Sequence, residues 1–329
     1  MKQSGDRIRG ARLAVLGGGV VFVLAGCGNG QNTLQPKSPQ AGSIATLWWI
    51  MLGVSTFGLA VIVGMLVVSW FKRGGVGRER PATITVLVLG IATPILVIAA
   101  LFSYSDIFLI RGTSAPPPTS LVAKRALDIT VIGHQFWWEV HYPKGKVVTA
   151  NEIHIPVRTP VVVSVTSRDV IHSFWVPELN RKMDLEPGRT NQVEIYASKV
   201  GKYRGQCAEF CGLQHAHMAF YVFADPPPVF ARWLKREAKP ATRTLPLFQS
   251  TCSNCHAIQG TPANAHVGPD LTHVGSRTTI AAGTLTNTLA NMEQWIAHPQ
   301  EVKPGNQMPD LKLTGAQVHE LAAYLESLK

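Results

Sequence analysis

Two long apolar runs without a charged side chain limit what this chain can fold into. They extend from Leu47 to Phe71 and from Pro81 to Ser105, and crossing a membrane takes about 20 helical residues. The short loop between them holds four basic residues and one acidic residue, which by the positive-inside rule places it in the cytoplasm. We therefore predict a two-helix transmembrane hairpin over residues 41–111, with both flanking segments on the outer side. A helical hairpin buried inside a soluble protein is the alternative.

The first residues indicate an exported protein. Basic side chains precede a short apolar stretch from Leu13 to Gly26, which is typical of a secretory signal peptide and predicts one over residues 1–26. The stretch ends in LAGC at Cys27. This ending resembles the box of bacterial lipoproteins and predicts that Cys27 is lipidated. An ordinary signal peptide, with Cys27 as a bystander, is the alternative.

The positive charge of the chain follows mainly from this topology. The formal net charge is +11, of which the signal peptide and the loop between the apolar runs contribute +3 each, and residues 120–329 only +4. The sequence offers no stretch of interleaved basic and aromatic residues that would line a nucleic-acid groove. We therefore expect no nucleic acid as a partner.

The exported part begins with a region of strand-like pattern. Residues 121–225 hold short runs rich in Val, Ile and Thr that are broken by Gly, Pro and Asn, and such runs are typical of β-strands. In one run Val161, Val163 and Val165 alternate with their neighbours and form an apolar face. The pattern predicts a compact antiparallel β domain.

A region of helical pattern ends the chain. A proline-rich break and a basic connector cover residues 226–243, and residues 244–329 follow. In the last segment Thr314 and Gln317 stand at capping-box spacing, and apolar residues recur at helical intervals after them. We predict an all-α domain over residues 244–329.

One short segment of the β region concentrates soft metal ligands. Cys207, Cys211, His215 and Met218 form the pattern C-x3-C-x3-H-x2-M, and thiolate and thioether ligands select copper(I) and other soft ions. A further ligand has to come from another strand, and His172 is the candidate because it lies in a β context among aromatic residues. A disulfide between the two cysteines and a mononuclear zinc site are the alternatives, although zinc rarely uses methionine.

The order of motifs resembles subunit II of the haem-copper cytochrome c oxidases. GHQFWWEVHY, DVIHSFWVP, PGRTNQVEIY and GQCAEFCGLQHAHM follow one another, and the resemblance covers both apolar runs and the whole β region. It implies a cupredoxin-like β-barrel that holds the dinuclear copper centre CuA. The implied ligands are two bridging thiolates, one histidine on each copper and two weaker ligands: Cys207, Cys211, His172, His215, Met218 and the backbone carbonyl of Glu209.

The resemblance also implies roles for residues around the copper centre. The Glu209 side chain is expected to help hold magnesium at the boundary with subunit I. An aromatic residue of the trio Phe136, Trp137 and Trp138 is expected to be the port through which electrons arrive at CuA. The family usually has tryptophan where this chain has Phe136, so Trp137 or Trp138 is a candidate for the same role, and electron entry elsewhere is the other alternative. His217 lies outside the family pattern, and we expect it at the surface or beside the ligands.

The helical region contains a second cofactor motif. CSNCH is the attachment signature of c-type haem, which predicts that Cys252 and Cys255 bind the haem covalently and that His256 binds the iron. A Met or His on the other face of the haem controls its potential, and Met308 is the candidate, whereas Met292 lies in a helical pattern and is expected in the core. The region resembles class I cytochrome c. We expect the remaining histidines at the surface: His266, His273, His298 and His319.

The sequence departs from many subunit II relatives in the second apolar run. There the family places a glutamate that feeds a proton channel of subunit I, whereas TITVLVLGIATP contains none. The nearest acid is Glu79, in the loop. Proton uptake through subunit I alone and proton uptake by way of Glu79 are both open.

Together these features predict a multidomain membrane protein made of a transmembrane hairpin, a cupredoxin-like β-barrel and an all-α cytochrome c domain. We interpret it as subunit II of a cytochrome c oxidase, which passes electrons from its haem to CuA and on to subunit I, where oxygen is reduced and protons are translocated. Expected partners are subunit I, subunit III and an external donor, such as another cytochrome or a quinol-oxidising complex, at a bacterial inner membrane.

Two other functions stay open at this point. The electron-delivery subunit of a CuA-type nitric oxide reductase is one, because nothing in this chain identifies the gas that the partner reduces. A copper-delivery protein is the other, although it predicts labile copper without covalent haem, and CSNCH argues against it. A quinol oxidase subunit is disfavoured, because that branch lacks the copper ligands.

Overall fold

The first two elements are long apolar helices. The computed structural model describes residues 30–71, 83–116 and 126–329. Helix α1 covers Pro39–Phe71 and helix α2 covers Thr83–Thr113, with π-helical turns at Val86–Ala92 and Ser105–Ile110. Both helices are long and apolar enough to span a membrane, which confirms the two predicted spans. The predicted signal peptide, Cys27 and the basic loop with Glu79 lie outside the described residues.

Ten strands follow between residues 127 and 225. They are β1 Leu127–His134, β2 Trp137–Tyr142, β3 Val147–Ala150, β4 Glu152–Pro156, β5 Val161–Ser167, β6 His172–Trp175, β7 Met183–Leu185, β8 Asn191–Ile195, β9 Gly201–Cys207 and β10 Ala219–Asp225. One sheet has the order β3-β2-β1-β5-β8, and the other has the order β4-β10-β9-β6-β7. This two-sheet domain agrees with the predicted cupredoxin-like architecture.

The strand pairing is mixed, so the expectation of a purely antiparallel domain was wrong. β1 pairs with β5 in parallel, and β10 pairs with β4 in parallel, while the other neighbours are antiparallel. Parallel neighbours need long connections, and here the intervening strands supply them. The alternation of apolar residues identifies a strand but carries no information about which distant strand lies beside it.

The core of the β domain lies between the two sheets. Val161, Val163 and Val165 are fully buried, as their alternation predicted. Large aromatic residues fill the same layer, and Phe220 packs so closely on β9 that a Cβ at Gly205 would come within 2.2 Å of its ring. Glycine at this position lets the ring fill the layer beneath β9, next to the strand end that carries Cys207.

The β domain holds the outer ends of both long helices. The Lys37 N–H, just before α1, donates to the Glu178 carbonyl at 2.8 Å. At the end of α2, the Thr113 carbonyl accepts a hydrogen bond from Asn180 Nδ2 at 3.1 Å. Because the start of α1 and the end of α2 contact the same domain, the two helices form a hairpin with the β domain at its open side.

The predicted connector contains a helix that belongs to the β domain. Helix α3, Pro227–Glu237, buries Phe230 and Trp233 in the core of that domain. The Trp233 ring stacks on His154, with centroids 4.2 Å apart. The break between the β domain and the last domain therefore falls after α3.

The last domain is mainly helical and has a core of its own. Its elements are α4 Pro246–Thr251, β11 Thr279–Ile280, β12 Leu285–Thr286, α5 Leu289–Ala297, α6 Pro299–Val302 and α7 Gly315–Ser327. The capping box of Thr314 and Gln317 is present at the start of α7, as predicted. The two-residue strands β11 and β12 were not predicted, because two residues are too few for a visible pattern.

The C-terminal domain is docked on the β domain. Glu152, on β4, is buried and accepts hydrogen bonds from the N–H groups of Thr278 and Thr279, at 2.7 and 3.3 Å, and from the Thr278 hydroxyl at 2.6 Å. The Ala219 N–H donates to the Ala282 carbonyl at 3.1 Å. These contacts bring the turn between β11 and β12 against the start of β10, beside the loop that precedes it.

Candidate copper and haem sites

The cysteine-rich segment forms a closed loop between β9 and β10. The Cys207 N–H donates to the Met218 carbonyl at 3.0 Å and so joins the two ends of the loop. The Ala208 N–H donates to the Ser173 carbonyl at 3.0 Å, which fixes the loop to β6. β6 begins with His172, so the sheet itself brings this histidine beside the loop.

The six predicted copper ligands lie together. The sulfur atoms of Cys207 and Cys211 are 3.8 Å apart. His172 Nδ1 lies 3.8 Å from Cys207 Sγ, and the Glu209 carbonyl lies 3.1 Å from the same sulfur. On the other side, His215 Nδ1 and Met218 Sδ each lie 3.8 Å from Cys211 Sγ. Each sulfur thus has one imidazole and one weaker donor beside it.

The surroundings favour thiolate at this site. The hydrogen bond between the two sulfur atoms lowers the pKa of Cys207 and raises the pKa of Cys211. The His172 ring adds to the stabilisation of the Cys207 thiolate, and thiolate is the form that binds metal. His172 Nε2 donates to Asp169 Oδ1 at 2.8 Å, which leaves Nδ1 facing the sulfur.

These donors fit copper. Cys207, Cys211 and Met218 are buried, and His172 is fully inaccessible to solvent. The ligand atoms of His172 and the two cysteines lie within 4.8 Å of one another. Two sulfurs, two imidazole nitrogens, a thioether and a carbonyl are a soft set, which suits copper better than a hard cation. The two sulfur atoms are free and 3.8 Å apart, which excludes a disulfide in this structure.

Asp169 and Gln135 support the loop and were not found from the sequence. Asp169 Oδ2 accepts the Gln135 N–H at 2.7 Å, and Gln135 Nε2 donates to the Cys211 carbonyl at 2.6 Å. Gly212 has a φ of +127°, and a Cβ there would approach Gln135 Nε2 to 3.0 Å. Nothing in the local spacing of Asp169 or Gln135 signals this role, because β1 and β6 bring them to the loop from distant positions.

The aromatic trio divides between the two sites. Trp138 is fully buried, and its indole N–H donates to the Met218 carbonyl at 3.4 Å. Phe136 and Trp137 instead line a cavity of about 190 Å³ in the C-terminal domain. The Trp137 ring also stacks on His134, with centroids 4.2 Å apart. One continuous segment therefore touches both candidate sites.

Hydrogen bonds to the buried Glu139 hold His134 against Trp137. Glu139 accepts hydrogen bonds from His134 Nε2 at 2.8 Å and from His141 Nε2 at 2.7 Å. Burial by itself would raise the pKa of Glu139, but the two histidines outweigh it and lower the pKa to about 2. Glu139 is therefore ionised at neutral pH and orients the ring on which Trp137 stacks.

The haem motif lines the same cavity of about 190 Å³. Cys252 and Cys255 are free thiols, and both line the cavity with His256 and Met308. The His256 Nδ1–H donates to the Pro269 carbonyl at 2.8 Å, so Nε2 is the nitrogen left for a metal. Burial lowers the pKa of His256 and favours the neutral imidazole that binds metals.

The residues that line the cavity suit a porphyrin with charged groups at one edge. Its wall is mainly apolar, and Met292 and Met308 both contribute to it, Met292 from the core and Met308 from the loop before α7. Arg277 also lines the cavity, and its buried Nε has no hydrogen-bond partner among the described residues. Such an atom calls for an acceptor such as a carboxylate. The motif CSNCH did not point to Arg277.

One surface prediction was wrong. His266, His298 and His319 are exposed as expected, but His273 is 6% exposed, and its Nε2 donates to the Arg236 carbonyl at 3.1 Å. The end of α3 covers it, and a single polar residue in a loop gives no sign of such a contact. His217 is exposed, while its backbone carbonyl accepts a hydrogen bond from Lys303. The Glu209 side chain is exposed at the outer face of the copper loop.

Fold and sites together define a membrane-anchored electron-transfer protein, in which a β domain with a loop of soft metal ligands is joined to a c-type haem domain. The profile of the cytochrome c oxidase subunit II periplasmic domain matches residues 145–224, and the profile of cytochrome c matches residues 245–329. These matches imply CuA copper in the β domain and haem in the last domain.

Full-length relatives give the family. Cytochrome c oxidase subunit 2 of Alkalihalophilus pseudofirmus is 32% identical over 94% of this chain and 95% of its own length. The subunit 2 of Bacillus sp. strain PS3 is 30% identical, with 97% of each chain covered. The chain therefore belongs to the cytochrome c oxidase subunit 2 family, and the matches to these relatives extend over nearly its whole length. It is a membrane-anchored subunit with its β domain on the outer side.

Among solved structures, the periplasmic domain of subunit II of cytochrome oxidase from Bradyrhizobium japonicum is similar. It is 34% identical, and the match covers 35% of this chain and 95% of that domain, with a TM-score of 0.34.

Proposed function

We propose that this chain is the electron-delivery subunit of a haem-copper cytochrome c oxidase. It receives electrons at a covalently held haem c and delivers them by way of CuA to subunit I, where oxygen is reduced to water and protons are translocated. The observation that supports this most is the segment from Phe136 to Trp138. Its first two residues line the haem cavity, and its third hydrogen-bonds the loop of copper ligands.

The chain's own side chains supply both binding sites. Copper would be held by Cys207, Cys211, His172, His215, Met218 and the Glu209 carbonyl, and haem by Cys252, Cys255, His256 and Met308. When bound, the copper pair and the haem each take up and release one electron. The protein contributes burial, which keeps water away, and hydrogen bonds that fix the rings of two of the histidines. Asp169 does this for His172, and the Pro269 carbonyl does it for His256.

We further propose finer points that rest on the family resemblance. The exposed Glu209 side chain helps hold magnesium at the boundary with subunit I. Subunit III completes the complex, and a cytochrome or a quinol-oxidising complex is the external donor. The protein lies in the bacterial inner membrane, and Cys27 is its lipidated first residue.

The test is to purify the membrane complex that contains this chain and to measure gas consumption with a reduced cytochrome or an artificial donor. We expect oxygen uptake. Nitric oxide is tested in parallel as the rival substrate. Consumption of nitric oxide without oxygen uptake would contradict the oxidase function and identify the complex as a nitric oxide reductase. A haem stain of the denatured chain checks the covalent haem, and Cys252→Ala/Cys255→Ala is the matched control that should not stain.

A further inference from the structure

A buried lysine connects the two domains beside both candidate sites. Lys303 follows α6 and is 2% exposed. Its Nζ donates to the carbonyls of Phe136 at 3.3 Å, His217 at 3.0 Å and Ala281 at 3.2 Å. An ammonium has three N–H donors and no acceptor, so these three carbonyls satisfy it completely. Within the described parts of the chain, no carboxylate forms an ion pair with it.

Each of the three carbonyls belongs to a segment with a part in electron transfer. Phe136 begins the aromatic trio that separates the haem cavity from the copper loop. His217 directly precedes Met218. Ala281 lies in the turn between β11 and β12, next to Ala282, which packs against Trp137. One side chain therefore ties the aromatic trio, the copper loop and the haem domain to a single point.

The residues after Lys303 continue this contact with the copper loop. Gln214 Nε2 donates to the Pro304 carbonyl at 2.6 Å. A Cβ at Gly305, where φ is +81°, would come within 2.6 Å of Leu213 Cδ1. The segment 303–305 thus lies directly on the copper loop, and Lys303 is its innermost residue.

Docking of the two domains does not require an ammonium group at position 303. Removing a charge from water is unfavourable, and burial lowers the pKa of Lys303 to about 8. An apolar side chain would bury area here without that penalty, and Glu152 already fastens another part of the interface. What the ammonium alone provides is a fixed distance to three backbone segments, together with a positive charge beside the copper loop.

We propose that Lys303 is a positioning residue for electron transfer between the haem and the copper centre. It holds the aromatic trio and the copper loop in a set position relative to the haem domain, and its charge favours the reduced state of the copper. This inference rests on the proposed function, since it concerns the passage between the same two sites.

The experiment replaces Lys303 by Met in the full-length chain within its complex. Met keeps a long unbranched side chain and removes the charge and all three hydrogen bonds. Because the rate of electron exchange falls as the two sites move apart, we expect electron exchange between haem and copper after pulsed reduction to slow severalfold. We also expect a lower reduction potential of the copper, with unchanged haem and copper absorption spectra. Lys235→Met, on the exposed side of α3, is the matched control and should change neither.

A second measurement follows the docking itself. Hydrogen exchange of the Ala219 amide, which bonds the Ala282 carbonyl across the interface, reports local separation of the domains. Lys303→Met should accelerate it, and the milder Lys303→Gln serves if the Met variant does not fold. An unchanged rate of electron exchange together with an unchanged copper potential would overturn the proposal, even if the Ala219 amide exchanges faster. A wild-type chain without haem or copper would refute the proposed function. If, in addition, the Ala219 amide exchanged at the same rate in Lys303→Met as in wild type, Lys303 would not hold the two domains together either.

Discussion

At the scale of single residues, the second-neighbour contacts of the copper ligands decide how firmly the metal is held. Asp169 accepts the Nε2–H of His172 and so keeps Nδ1 turned to the Cys207 sulfur. Loss of such a partner typically weakens metal affinity by about 10- to 100-fold. We expect Asp169→Asn to fall within this range and Asp169→Ala to lose more, because Ala also gives up the hydrogen bond to the Gln135 N–H.

Competition for copper with a chelator measures this affinity in the purified chain. Asp128→Asn is the control and should retain wild-type affinity, because Asp128 is exposed and lies near the start of β1, at the opposite end from Gln135. The haem spectrum should stay unchanged in all three variants. Equal copper retention in wild type and both Asp169 variants would show that His172 does not need this partner.

Glu139 gives the β domain a pH dependence with a defined direction. Its pKa is lowered from 4.5 to about 2 in the folded chain by His134 and His141, against the effect of burial. A carboxyl group whose pKa is lowered on folding stabilises the fold fully when the pH lies above its pKa in the unfolded chain. This stabilisation is lost as the pH falls toward the pKa in the folded chain. The contribution is therefore present above pH 4.5 and declines toward about pH 2.

We expect Glu139→Gln to reduce the free energy of unfolding at pH 7 by about 2–3 kcal/mol. The difference from wild type should shrink as the pH is lowered from 4.5 to about 2. Denaturant unfolding in detergent at a series of pH values measures it. Glu186→Gln, which removes an exposed pair with Arg189, should cost less than about 1 kcal/mol. A Glu139→Gln difference that is independent of pH would contradict the assignment of the charge to Glu139.

The residue scale also shows what the sequence could reveal. Most ligands of each site stand close together in one motif, so their spacing indicated soft-metal binding and covalent haem, whereas His172 and Met308 lie in other segments. Lys303 reaches Phe136 across 167 positions, and Asp169, Gln135 and Arg277 act through strands or turns that pair only in the folded chain. Their roles follow from sheet order, which an alternating apolar pattern does not encode. The buried position of His273 was missed because the end of α3, which covers it, is distant in the sequence.

At the scale of elements, the loop after the haem motif depends on a glycine. A Cβ at Gly268 would lie 2.6 Å from His256 Cε1 and 2.9 Å from its Nδ1. The same loop carries the Pro269 carbonyl that fixes the histidine. A side chain at position 268 must therefore displace the ring or the loop, and either change disturbs the nitrogen that faces the cavity.

We expect Gly268→Ala to lower the share of chains with a normal haem spectrum severalfold, since contacts this short force the structure to shift. The absorbance of haem per protein, measured on the purified chain, gives this share. Gly315→Ala is the matched control and should keep the normal haem content. A Cβ at Gly315 meets nothing within 4 Å, and Ala has a higher helix propensity than Gly. Normal haem content in Gly268→Ala would show that the loop yields without affecting His256.

At the scale of the whole molecule, the fold places the two cofactor sites beside each other by combining three parts: the helical hairpin, the β domain and the last domain. The hairpin fixes the β domain at its outer ends, the sheets bring His172 to the copper loop, and the docked last domain closes its haem cavity with Phe136 and Trp137. Helix α3 belongs to the β domain, so the connector that remains between the two domains is short. It keeps the domains close together, and the contacts of Glu152 and Lys303 across the interface set the arrangement of the two sites.

The Glu152 contact allows the strength of that interface to be measured. Glu152→Ala leaves the N–H groups of Thr278 and Thr279 without their acceptor, and we expect it to cost about 2–3 kcal/mol of stability against denaturant, followed by haem absorbance. Thr278→Ala removes only the hydroxyl bond. In the double variant the two effects should overlap by about 1 kcal/mol.

Glu293→Ala is the control for this cycle, because Glu293 pairs with His319 on the exposed surface within the last domain and should cost less than about 1 kcal/mol. Additive effects of Glu152→Ala and Thr278→Ala would mean that their contact is not maintained in solution. Overlapping effects would show that the haem domain unfolds from a docked state, in which the aromatic segment already lies between the two cofactor sites before any electron arrives.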